Sequence, residues 1–141
     1  APVPEPPGPA AWTVTRPAEG RCPGCGGRPQ LSFIGEASED LLTPPRRLLC
    51  CRCGRAWTHE RMACPACGER RTSTLPIYAD AERLPHLRAD GCESCRRYLI
   101  AVDLRRDRDA VAVVDELVAL PLDLHMQERG FAKIVPNLMG I

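Results

Sequence analysis

Eight of the nine cysteines stand in four Cys-x-x-Cys pairs: Cys22 with Cys25, Cys50 with Cys53, Cys64 with Cys67 and Cys92 with Cys95. Two intervening residues let both sulfurs of a pair reach one ion, while backbone amides of the turn hydrogen-bond the thiolates. Four thiolates select zinc, or iron in a rubredoxin-like centre, and the residue types do not separate these metals. Protein would fill all four coordination positions, so no open position remains for substrate and catalytic metal chemistry is disfavoured. No Ser-His-Asp set, Gly-rich phosphate loop or paired-carboxylate motif stands beside the cysteines. A disulfide framework fits less well, because short paired loops with the wording Cys-Pro-x-Cys-Gly suit a metal knuckle.

The last two pairs repeat the first two at an offset of 42 residues. Pro23 maps onto Pro65, Gly26 onto Gly68, Arg28 onto Arg70, Leu42 onto Leu84, Arg46 onto Arg88 and Arg55 onto Arg97. A duplicated unit should close its own site. Sequential use, Cys22, Cys25, Cys50, Cys53 and then Cys64, Cys67, Cys92, Cys95, is therefore expected over a cross-braced arrangement. Cys51 is the odd thiol, and Glu93 occupies its position in the second repeat. It reads as a spare residue beside a knuckle rather than as a redox thiol or alternative ligand. His59 is expected to pack or hydrogen-bond near a site that already has four ligands. His86 and His125 carry no partner motif and are expected at the surface.

The elements that must position these sulfurs are short. Residues 1–20, with prolines at 2, 4, 6, 7 and 9, read as a disordered linker or tail. Residues 21–61 form a first rubredoxin-like module, with strands at Gln30 to Ile34, Arg46 to Leu49 and Ala56 to Arg61. Glu36 to Pro45 reads as a polar loop with a turn at Pro44-Pro45. Residues 62–105 form a second module, with strands at Leu75 to Tyr78 and Tyr98 to Leu104. Residues 106–141 change to a helical period. Asp107 or Asp109 is a plausible N-cap, and Val111, Val114, Leu117, Val118 and Leu124 suggest one apolar face. Pro121 should kink or divide this helix and Gly130 should stop it, leaving an irregular tail. The fold class is therefore small, metal-bound and β-rich: two tandem rubredoxin-like (zinc-ribbon) modules followed by a C-terminal α-helix.

With 141 residues and only six aromatics, the chain has little material for a large core, and modules of this size depend on metals or staples. The formal charge is +1. A divalent ion on four thiolates leaves about −2 per site, which takes the loaded chain to about −3. Eighteen arginines against one lysine are interleaved with acids such as Glu60, Glu69, Asp90 and Glu93. Few aromatics are available for base stacking, so nucleic-acid binding is not expected. No segment reads as a membrane span or signal peptide, and a cytoplasmic protein is expected. The first residue is not Met, and a segment upstream is expected to have been removed or left out.

The sequence resembles the formate dehydrogenase accessory protein FdhE family, in its C-terminal cysteine-bearing part. The residues that carry the resemblance run from Arg21 to Asn137. They are CPGCGGRP at Cys22 to Pro29, LLCCRCGRAWTHERMACPACG at Leu48 to Gly68, GCESCRRYL at Gly91 to Leu99, and DAVAVVDELVALPLDLHMQERGF with Pro136-Asn137. The resemblance implies two rubredoxin-like modules following an N-terminal helical region, in place of which only the Pro-rich lead stands here. It implies the eight paired cysteines as ligands, with iron as the metal, where the residues alone leave iron or zinc open. It further implies a non-enzymatic maturation factor that binds the catalytic subunit of a formate dehydrogenase. The alternatives are a zinc-ribbon nucleic-acid-binding module and a rubredoxin-like electron carrier.

Overall fold

The computed structural model describes residues 20–35 and 44–141. Residues 1–19, where the expected linker or tail falls, and residues 36–43, where most of the expected polar loop and Leu42 fall, lie outside the described residues. Among the described residues seven strands form one sheet: β1 Pro29–Ile34, β2 Arg46–Cys50, β3 Ala56–Thr58, β4 Ile77–Ala79, β5 Leu87–Cys92, β6 Arg97–Asp103 and β7 Ala132–Lys133. Two α-helices among the same residues, α1 Ala112–Val118 and α2 Leu120–Glu128, precede β7.

The sheet runs β3-β2-β1-β6-β5-β4, with β7 paired to β6 off this path. Each half is an antiparallel meander, and the halves join through a parallel pairing of β1 with β6 at Ser32 to Ile34 and Ala101 to Asp103. β7 pairs with Arg97 and Tyr98 of β6, so it occupies the half of that strand edge that β1 leaves open. β6 is the centre of the molecule. Its residues Tyr98 to Val102 are all buried, as a strand packed on both faces requires. Tyr98, Ile100 and Val102 join Leu87, Ala89, Leu122, Met126 and Phe131 in the larger core. Leu99 faces the opposite way, into a smaller core with Cys22, Leu48, Cys50, Trp57 and Ile134.

The duplication is visible in strand register. Arg47↔Thr58 and Leu49↔Ala56 in the first half become Ala89↔Ile100 and Gly91↔Tyr98 in the second, the same pairs 42 residues on. The other hairpin slips. Ile34 pairs with Arg46, yet Arg88 meets Ala79 rather than Pro76, three residues later. A turn of 3-10 helix at Thr72–Thr74 lies in that stretch. It moves the expected strand at Leu75 to Tyr78 to Ile77–Ala79, and β3 likewise ends at Thr58 rather than Arg61.

The C-terminal helix is divided in two at Ala119, with Pro121 at the start of α2, where its missing N–H costs nothing. Gly130 ends α2 with φ +86°; its amide donates to the Gln127 carbonyl and that of Phe131 to Met126, a Schellman closure. Two expectations for this region are overturned. Neither Asp107 nor Asp109 caps the helix: Val111 is the N-cap, and its amide donates to the carboxylate of Asp115 at 2.8 Å. Val111, Val114, Val118 and Leu124 do not face the core but stand about half exposed. The inward face instead carries Glu116 and Asp123, both buried.

A polar network explains that burial. Lys133 on β7, the chain's one lysine, reaches Glu116 Oε1 at 2.8 Å and Asp123 Oδ1 at 3.2 Å. The Tyr98 hydroxyl donates to Asp123 at 2.7 Å, and Gln30 Nε2 donates to Glu116 at 3.0 Å. Burial and the adjoining carboxylate push the Tyr98 phenol far up, which keeps it a donor. The helices are thus fastened to the sheet by ions as well as by apolar contact, a pattern that an apolar period does not reveal. The expected irregular tail is equally well tied: Phe131 and Ile134 are buried, and Asn137 Oδ1 accepts the amides of Met139 and Ile141.

Candidate metal centres

The structure gathers the paired cysteines into two quartets in chain order, Cys22, Cys25, Cys50, Cys53 and Cys64, Cys67, Cys92, Cys95. Within each quartet the sulfurs all lie within 4.8 Å of one another. Cys22 to Cys53 is 3.6 Å and Cys25 to Cys50 is 3.4 Å; in the second quartet Cys64 to Cys95 is 3.7 Å and Cys67 to Cys92 is 3.6 Å. A tetrahedron of sulfurs at ordinary zinc–thiolate bond lengths has edges of roughly 3.8 Å. These separations are far too long for disulfide bonds and suit a shared ion.

Each quartet is built by a knuckle before the first strand of its half and a knuckle between the second and third strands. The turns aim backbone amides at sulfur: Gly24 donates to Cys22, Arg52 to Cys50 and Ala66 to Cys64, each at 3.4 Å. Gly26, Gly54 and Gly68 follow the second cysteine of their knuckles with φ near +75°, where glycine carries no steric penalty. In the fourth knuckle that position is Arg96, with φ +58°. Its guanidinium compensates by stacking 4.1 Å from the Phe131 ring centroid and by donating to the Arg129 carbonyl at 2.6 Å.

Charge within the quartets is uneven. Burial pushes the Cys50 thiol up, but the amides of Cys53 and Arg52 and the thiols of Cys25 and Cys53 outweigh it and bring it to about 6. Cys92 is lowered in the same way: burial opposes, and the Cys95 amide, the Cys67 thiol and the Ser94 amide prevail. For Cys25 the Gly27 amide acts downward, yet its bond to Cys50, burial and the other two thiols carry it up to about 11. Burial raises Cys95 as well. Burial also opposes ionisation of Cys22, but the amides of Cys25 and Gly24 and the Cys53 thiol lower it. Cys22 and Cys50 in the first half and Cys92 in the second are thus the sulfurs that favour negative charge, as a soft cation requires of its ligands.

Residues near the quartets take varied roles. Cys51 is exposed and outside the quartet, and its amide donates to the Arg28 carbonyl. His59 is buried after β3, with Nδ1 3.0 Å from the Glu60 carbonyl, and belongs to neither quartet. Glu69, expected only as one of the surface acids interleaved with the arginines, has a structural role. Its carboxylate accepts from Arg70 N, Arg71 N, the Arg71 guanidinium and Ser94 Oγ, so it latches one knuckle of the second quartet to the other. The Arg71 side chain and amide, with Ser94, hold it down at about 2. Only its place, directly after Cys-x-x-Cys-Gly, could have marked it.

The two other histidines are not the plain surface residues that the sequence suggested. His86 Nε2 lies 2.8 Å from Asp115 Oδ1, and Asp107 completes a group of three potential ligands. The carboxylates there already accept the amides of Val111 and Asp109, so the group reads as a clamp between the β5 approach and α1. His125 accepts from Arg129 Nε at 3.0 Å and packs against the Tyr78 ring.

Two zinc-ribbon-like halves sharing one sheet, each with a tetracysteine cluster able to hold an ion, define a tandem rubredoxin-like metal-binding protein. The model of "FdhE, C-terminal domain" matches residues 62–139. The chain belongs to the FdhE family. It is similar to an FdhE homolog of Aquifex aeolicus, with 35% identity over 119 residues, covering 84% of this chain and 41% of that protein. A Pseudomonas aeruginosa FdhE homolog is 34% identical over 121 residues, covering 84% of this chain and 38% of that protein. The crystal structure of the FdhE protein from Pseudomonas aeruginosa superposes with a TM-score of 0.72 at 33% identity, over 84% of this chain and 40% of that one. The chain thus spans about two fifths of the length of the relatives it matches. No helix among the described residues is long and apolar enough to cross a membrane.

Proposed function

We propose that this chain is a non-catalytic accessory module that binds the catalytic subunit of a formate dehydrogenase in the cytoplasm and supports its assembly. The family match over residues 62–139 carries this reading. In it, Cys22, Cys25, Cys50 and Cys53 hold one metal ion and Cys64, Cys67, Cys92 and Cys95 a second. The working divisions are 21–61 and 62–105 for the modules, 106–141 for the helical end and 1–20 for the lead. The donor set supports zinc or iron, since four clustered thiols that include an acidified one suit either ion. When bound, the ion supplies rigidity to the knuckles and, if it is iron, a one-electron couple. The protein's own part is to present a fixed surface, because four thiolates leave no coordination position for substrate.

Co-purification with the dehydrogenase subunit tests the reading, alongside restoration of formate-dependent activity in cells lacking the native accessory protein. Association plus restored activity is the expected result. Absence of both, with the chain folded and metal-loaded, would sink it. Anaerobic metal analysis with an optical spectrum then separates a zinc scaffold from an iron centre able to sense redox state.

A further inference from the structure

Between the halves, the linker from β3 to the third knuckle crosses the sheet and is held there by Arg46. Its Nη1 donates to the carbonyls of Glu60, Arg61 and Ala63, and its Nη2 lies 3.5 Å from Asp90 on β5. That ion pair reaches past β1 and β6, a span of roughly 14 Å on a flat sheet at ordinary strand spacing. The sheet must therefore curve around the linker. A cavity of about 130 Å³ lies in the curve, walled by Met62, Ala63, Leu75, Ile77 and Ile134.

Among the described residues four arginines line this cavity, Arg46, Arg61, Arg88 and Arg97, against one acid, Asp90. Three buried polar atoms of these residues have no hydrogen-bond partner among the described residues: Arg46 Nε, Arg88 Nε and Asp90 Oδ1. Arg88 Nε is 3.0 Å from Asp90 Oδ1, an ion pair by distance that is not aligned as a hydrogen bond. The Arg46 side chain is only 2% exposed. Burial disfavours its charge and Arg88 adds to that, with Asp90 alone among the neighbouring carboxylates in opposition. Arg46 and Arg88 are also repeat equivalents, 42 residues apart, converging on one space from the two halves. A buried Arg46 Nε–H with no acceptor among the described residues, and an Arg88 Nε–H held close to Asp90 but out of line with it, beside apolar walls, describe a receptor that lacks its anion.

We propose that this cavity binds a carboxylate carried on a short aliphatic stem. The Nε–H groups of Arg46 and Arg88 donate to its oxygens, Arg61 and Arg97 add positive charge around it, and the stem packs against Met62, Leu75 and Ile77. A monoanion suits the site better than phosphate, because Asp90 and Cys64 of the second quartet also line it and would repel a second negative charge. The carboxylate belongs either to a free short-chain acid or to a Glu side chain of a protein segment. This inference does not depend on the function proposed above.

The test titrates the metal-loaded chain with formate, acetate and butyrate, with chloride and phosphate at matched ionic strength. Amide NMR shifts of Ala63 and Gly91 and calorimetry follow the binding. A second arm uses a short peptide containing one Glu and the same peptide with Gln. Saturable shifts that tighten along the acid series, by up to about fourfold per buried methylene, identify a free acid. Saturation by the Glu peptide alone, with no response to its Gln form, identifies a side chain; either result supports the proposal. Arg88→Gln, which alters a partly exposed residue, should weaken binding at least tenfold with the fold intact. If that variant unfolds, Ile77→Trp at the exposed edge strand fills the wall and should give the same loss. Shifts that chloride or phosphate reproduce, or that persist unchanged in the variant that folds, would overturn it.

Discussion

The two halves of this protein share one plan and differ in what holds it together. The second half is wrapped: α1, α2 and β7 cover its sheet, and its core contains Leu87, Ala89, Ile100, Leu122, Met126 and Phe131. The first half borrows: its smaller core is completed by Leu99 and Ile134, residues that belong to the other half and the tail. The knuckles differ likewise. Glu69 latches the second pair of knuckles through Ser94, whereas the equivalent first-half residue is Gly27. A Cβ there would stand 2.8 Å from Cys50 Sγ and 3.2 Å from Cys25 Sγ. The same repeat thus produces one module that rests on its own core and one that depends on its neighbour's strand β6.

Breaking one quartet at a time gives the largest expected effect. Cys64→Ser should unfold the whole chain, because the first half loses the strand on which it rests. Cys22→Ser should leave the second half folded, with hydrogen exchange protection kept in β5 and β6 and lost in β2 and β3. Equal loss of protection in both variants would refute the asymmetry. Lys133→Met comes next. It leaves Glu116 and Asp123 buried without their cation, and should cost about 3–5 kcal/mol in denaturant unfolding. The second half should feel that loss first.

The latch is a smaller and more local test. Gly27→Glu should crowd Cys50 and weaken metal retention in the first half by about 10–100-fold, while Glu69→Gln loosens the second to a lesser degree. Competition with a chromophoric chelator reads both. The Glu69 carboxyl is depressed to about 2, so its contribution is complete above the ordinary carboxylate range near 4.5 and disappears as pH falls through 2. Metal loss from the second half on acidification should therefore lag that from the first. The smallest effect concerns the left-handed knuckle residues. Gly54→Ala should cost about 1 kcal/mol. Arg96→Gly should change stability little, since relief at φ +58° offsets the lost stack on Phe131.

The quartets were legible because a Cys-x-x-Cys turn fixes its own geometry, so spacing alone locates the sulfurs. The strands β1, β2, β3 and β6 beside the knuckles were legible in the same way, whereas β5, which leads into the fourth knuckle, was not named and β4 was displaced. The helix was legible in its existence, its break at Pro121 and its stop at Gly130, all of which are local backbone effects. Its orientation was not. Val111, Val114 and Val118 form the better apolar stripe, but Lys133, Gln30 and Tyr98 supply partners that turn Glu116 and Asp123 inward. Those partners come from three distant strands, and no helical period can see them. The three-residue slip at β4 and the roles of Arg46, Glu69 and His86 are hidden on the same ground, since each depends on residues brought together only by the fold.

The parallel seam between β1 and β6 has a geometric consequence of its own. A module related to its neighbour by translation along the sheet, rather than by a two-fold axis, offers unlike borders at its two ends. Nothing in such an arrangement closes on itself; it is a tiling rule, and a third tile could in principle be laid against β3 or β4. Both terminal strands are only three residues long, Ala56–Thr58 and Ile77–Ala79, which leaves little border for another chain to grip. Among the described residues the rule for growth is written and both of its margins are clipped.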